Sequence, residues 1–118
     1  MNDVNIVIRS EQIDKHSASV ALVGRFDARN AQTVKETLKQ LVDAGAIHLI
    51  VDLAEVPFID SSGLAALVSG LKTLNEKNGS LKLAALQSQA DLLFKLTMFD
   101  KVFEIFADVD AALASYSA

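Results

Sequence analysis

The sequence predicts an α/β sandwich: a mixed β-sheet of four to five strands with about four α-helices, built as one domain over residues 1–118. Three observations point there. AIHLIVDL, Ala46–Leu53, is a short and almost continuously apolar run, the pattern of a parallel strand covered on both faces. The stretches on either side of it carry apolar residues at helical spacing. From Ala46 to Leu86 the order strand, helix, strand describes a parallel crossover unit, whose connection is expected to be right-handed.

The elements follow in order. Val4, Ile6 and Ile8 alternate with Asn5, Val7 and Arg9, the period of a half-buried strand. After a polar loop, SVALVG is apolar on both faces and reads as a more central strand, able to pair with the first as an antiparallel hairpin. Ala31, Val34, Leu38, Leu41 and Val42 then lie on one helical face between a cap at Asn30 and a stop at Gly45. Past the central strand, Leu64, Leu67, Val68, Leu71 and Leu74 predict a second helix from about Ser61 to Lys77, stopped by EKNGS. SLKLAAL is the next strand. Ala90, Leu93, Phe94 and Leu96 suggest a third helix, KVFEIF a short strand at best, and DVDAALASY a last helix capped near Asp108.

Composition narrows the functional classes. A chain of 118 residues, 51% hydrophobic, suits one core. A net charge of -4 with no basic cluster argues against nucleic-acid binding. The absence of cysteine removes disulfides, thiolate catalysis and Cys-based zinc sites. The amino terminus lacks the basic start and apolar core of a signal peptide, and no apolar run reaches the ~18 residues of a membrane span. A cytoplasmic protein without membrane insertion is the expectation.

VPFIDSSGLAAL, Val56–Leu67, is the stretch that carries chemistry. It places Ser61 and Ser62 where a central strand ends and a helix starts, the usual position of functional groups in open α/β sheets. Asp60, Ser61 or Ser62 could cap that helix, a contribution of about 1 kcal/mol. Three capping residues in succession exceed what one helix end requires, which points to a serine exposed for another use. A hydrolase elbow would need G-x-S-x-G, but Ile59 stands where the first glycine belongs. A triad would need a histidine, and the two present, His16 and His48, fall in a polar loop and a strand. The five glycines are scattered, so no phosphate-binding loop occurs. Asp52 could imitate the phospho-acceptor of a receiver domain, but the first strand ends in IRSEQ without the acidic pair that magnesium needs. Carboxylates such as Asp43, Glu76 and Asp91 read as solvated helix faces, and no metal or cofactor is expected.

LVGRFDARNAQTVKETL, HLIVDLAEVPFIDSSGLAALV and LFKLTMFDKVFEIFADVDAAL together resemble a STAS domain of the anti-sigma factor antagonist type, in the right order and over nearly the whole chain. DLAEVPFIDSSGL is the most specific part. The resemblance implies that Ser61 is phosphorylated by a partner that is both an anti-sigma factor and a serine kinase, which leaves Ser62 as the structural cap. It implies that the unphosphorylated form binds this partner and frees a sigma factor, and that a serine phosphatase resets the switch. Asp27 in GRFD matches an acidic residue near the phospho-acceptor, so the implied partner surface comprises Asp27, Asp60, Ser61, Ser62 and Gly63. Such a protein is a regulator of transcription and not an enzyme, a monomer with a dimer as the alternative. STAS subunits of stressosomes and of lipid-transport complexes share the fold without this switch, and remain the second reading. Members often carry glycine where this chain has Met98, and Phe99 beside it is read as core.

Overall fold

The computed structural model describes residues 5–116. The elements are β1 (Val7–Asp14), β2 (Ser17–Val23), α1 (Ala31–Asp43), β3 (His48–Glu55), α2 (Ser61–Glu76), β4 (Ser80–Ala84), α3 (Ser88–Leu96), a 3-10 turn (Phe99–Lys101), β5 (Glu104–Phe106) and α4 (Val109–Ala114). The strands form one five-stranded sheet in the order β1-β2-β3-β4-β5. β1 runs antiparallel to β2, and every other pair is parallel. This is the mixed sheet with four helices that the sequence predicts.

The apolar pattern explains the layers. On one face, Val20, Leu22, Leu49, Val51, Leu53, Leu81 and Leu83 pack against Val34, Leu38 and Val42 of α1 and Leu64, Leu67 and Leu74 of α2. Ala90 and Phe94 of α3 complete this core with Phe103. On the other face Ile50 and Ala84 meet Ala112 of α4, with Phe106, Val109 and Leu113 around them. β3 therefore lies between two apolar layers, which is why its sequence is apolar almost without interruption.

Several boundaries differ from the sequence expectation. Val4 lies outside the described residues. β1 extends through SEQID to Asp14, where a polar loop was expected, because its backbone pairs with β2 while its side chains from Arg9 onward are exposed and need no apolar alternation. β4 stops at Ala84 because Ala85 adopts a positive φ of 62°. Asp108 caps α4 as expected, its carboxylate accepting the Ala111 N–H at 2.8 Å. Gly45, with φ 116°, ends α1 in a conformation that disfavours other residues. Asn30 occupies the position before α1 but makes no side-chain cap; its amide is directed back into the loop before it.

Met98 closes α3 in the left-handed region, φ 66° and ψ 11°, with its side chain 57% exposed. A side chain there is strained by about 1–2 kcal/mol relative to glycine, while glycine loosens the unfolded chain by about 0.4–1 kcal/mol. Met98→Gly is therefore expected to raise stability by about 0.5–1 kcal/mol, seen as a higher urea midpoint at unchanged slope. Phe99 is half-buried against the core, its ring 6.4 Å from that of Phe103, as the core reading required.

Candidate functional site

Two loops meet at the carboxyl ends of β2 and β3. The register of that parallel pair continues past the strands: the Gly24 N–H donates to Glu55 O at 2.9 Å and the Phe26 N–H to Phe58 O at 2.9 Å. Phe26 and Ile59 then form an isolated parallel bridge, and the Asp60 N–H donates to Phe26 O at 3.2 Å. Both Phe26 and Ile59 are fully buried, so this bridge fixes where α2 begins.

Asp60 is the residue that starts the helix. Its backbone is extended, φ -106° and ψ -174°, and Oδ1 accepts the N–H groups of Ser62 and Gly63 at 2.9 and 3.0 Å. Oδ2 accepts the Ala28 N–H at 3.1 Å, so one carboxylate caps α2 and staples the loop after β2. Ser62, expected to be the cap, is not: its N–H is capped by Asp60, and its side chain lines a shallow groove with Ala31, Gln32 and Lys35. Removing the Asp60 carboxylate leaves three backbone donors without their acceptor. Asp60→Ala is expected to cost about 2 kcal/mol, whereas Ser62→Ala should stay within about 0.5 kcal/mol, both read from urea denaturation.

Ser61 is the first residue of α2 and is exposed. Among the described residues its hydroxyl has no hydrogen-bond partner. Gly63 is buried against Phe26 and Ile59, where a Cβ would lie 2.7 Å from Phe26 O.

Asp27, only 8% exposed, sits in the same loop as Ala28. Its Oδ1 accepts from the Arg29 N–H and Nε–H at 3.0 and 3.1 Å, and its Oδ2 from Nη2–H at 3.0 Å. The Arg29 hydrogen bonds hold the Asp27 carboxyl below the usual carboxylate range despite its burial. The Asn30 amide donates to Arg25 O at 2.8 Å and its oxygen accepts the Asp27 N–H at 3.1 Å. Arg25 stacks 4.2 Å above the Phe58 ring, joining the two loops once more.

Sequence reasoning missed a brace from α3. The Gln89 side chain accepts the Ile59 N–H at 2.9 Å and donates to Ile59 O at 2.9 Å, as a neighbouring strand would. Gln87 Nε2–H donates to Ala54 O at 2.8 Å. Both glutamines lie some thirty positions from the backbone they hold, and nothing local distinguishes them from ordinary polar residues at a helix start.

Neither histidine serves Ser61. His48 begins β3, at the far end of the strand, with Nδ1 2.9 Å from Ser80 Oγ, and His16 lies in the β1-β2 turn. Ser61 thus presents an exposed hydroxyl on a braced helix start, apart from both histidines.

The STAS domain family model covers residues 8–112. The chain is 32% identical over 102 residues to an anti-sigma-B factor antagonist of Listeria monocytogenes, covering 86% of this chain and 90% of that protein. The crystal structure of an anti-sigma factor antagonist from Mycobacterium paratuberculosis has the same fold, with a TM-score of 0.88 and 24% identity over 99% of this chain and 98% of that one. The Bacillus cell fate determinant SpoIIAA in its phosphorylated form also shares the fold, with a TM-score of 0.75 and 14% identity over 93% of this chain and 99% of that one.

Proposed function

The chain belongs to the STAS domain family, and from that premise we propose that it is an anti-sigma factor antagonist switched at Ser61. The unphosphorylated protein binds an anti-sigma factor in the cytoplasm, and the sigma factor is released. The anti-sigma factor doubles as a serine kinase and transfers the terminal phosphoryl group of ATP to Ser61 Oγ, releasing ADP and the hydroxyl proton, which ends the binding; a serine phosphatase restores the hydroxyl by hydrolysis, releasing inorganic phosphate. The protein acts by binding and catalyses no step itself.

The observation that carries this reading is the division of labour at the start of α2. Asp60 performs the capping, so the exposed Ser61 hydroxyl can be esterified without loss of a bond that the fold uses. A phosphate adds about -1.5 to -2 charge. The helix amino terminus favours it by roughly 0.3–1 kcal/mol, and the adjacent Asp60 carboxylate opposes it. These effects largely offset, so the modification should act on affinity and leave the fold intact. Asp27 and Asp60 support the surface by fixing the two loops that flank Ser61.

The test is intact-mass analysis and phosphopeptide mapping of the protein from its native cells with phosphatases inhibited. A single phosphate on Ser61 is the expected result. An unmodified Ser61 across growth and stress conditions would overturn the switch and favour a constitutive scaffold role.

A further inference from the structure

Among the described residues β1 ends the sheet, its eight residues paired to β2 on the inner side only. Its outer N–H and C=O groups form an open ladder, the means by which one sheet recruits a strand from another. The opposite edge is protected by brevity, since β5 has three residues. β1 has no such protection and no proline. It carries instead three charged side chains, Arg9, Glu11 and Asp14; Asp14 accepts the His16 N–H at 2.9 Å, and Arg9 and Glu11 lie two positions apart and so on one face.

Both side chains are exposed, and their cross-strand neighbours on β2 are Ala21 and Ser19. Among the described residues neither has an ion-pair partner. Two charges of opposite sign remain unmatched along an open edge.

We propose that β1 docks a second copy of this chain, the two strands pairing antiparallel about a two-fold axis at Ser10. In that register Arg9 faces the partner's Glu11, and Glu11 faces the partner's Arg9. Val7, 45% exposed, then lies at each end of the seam, opposite the partner's register shift between Gln12 and Asp14. The charges select this register. An axis at Arg9 would set arginine against arginine, an axis at Glu11 would set glutamate against glutamate, and a parallel alignment in register would do both. The seam is one strand wide and about 24 Å long at ~3.4 Å per residue, so the dimer is a weak one that depends on concentration.

Sedimentation of the full chain at low ionic strength, from about 5 μM to about 1 mM, tests the proposal. Wild type should pass from monomer to dimer, and Arg9→Glu should weaken the dimer about tenfold or more. The swap Arg9→Glu/Glu11→Arg, which restores both pairs, should return affinity to within about threefold of wild type. Circular dichroism should show all three folded, since both side chains are exposed. A wild type that stays monomeric throughout, a dimer indifferent to Arg9→Glu, or a swap that fails to recover would each overturn it.

Discussion

Ser61→Asp is expected to weaken binding to the anti-sigma factor by at least about a hundredfold, while Ser61→Ala binds like wild type. An uncompensated charge at a protein interface costs several kcal/mol, and each 1.4 kcal/mol is a factor of about ten. Aspartate carries less charge than phosphate, so its effect is a lower bound on that of the modification. The fold should be indifferent to both changes, because the Ser61 hydroxyl is exposed and bonded to nothing among the described residues. Thermal melts of the two variants should therefore match wild type to within about 0.5 kcal/mol. Titration calorimetry against a confirmed partner decides the matter: equal affinity of the two variants would sink the switch, whatever the mapping of phosphate shows.

The central strand and the helix that follows it were legible because their signals are local and redundant. Burial on both faces writes itself into the run from Leu49 to Leu53, and the α2 start coincides with Ser61. The cap was less legible. Asp60, Ser61 and Ser62 are all competent, and the choice is made by the bridge between Phe26 and Ile59, which sets the extended backbone of Asp60 and turns its carboxylate toward both Ser62 and Ala28. That information lies more than thirty residues away in the chain. Gln89 was illegible for the same reason, as its partner is the backbone of Ile59. β1 was cut short because hydrophobic periodicity reports on burial, and the outer half of that hairpin strand has no buried face to report.

Gly63→Ala is expected to destabilise the protein by about 3 kcal/mol and to abolish partner binding, although the mutated residue is buried and no side chain is lost. The new Cβ would lie 2.7 Å from Phe26 O, 3.1 Å from Phe26 Cγ and 3.2 Å from Ile59 Cγ2. Phe26 O is backbone and already accepts the Asp60 N–H, so it cannot withdraw without opening the bridge that places the helix start. Overpacking of this kind costs about 1–3 kcal/mol, more when backbone must move. Gly70, in the same helix, supplies the contrast. There a Cβ meets only Leu81 Cδ1 at 3.0 Å and Leu38 Cδ1 at 3.1 Å, the ends of flexible side chains. Its crowding is offset by the roughly 1 kcal/mol that alanine gains over glycine inside a helix, so Gly70→Ala should change stability by less than about 1 kcal/mol. Urea denaturation of the two variants side by side distinguishes a clash at the site from a general intolerance of α2. If both cost the same, the junction of Phe26, Ile59 and Gly63 does not hold the Ser61 surface in place.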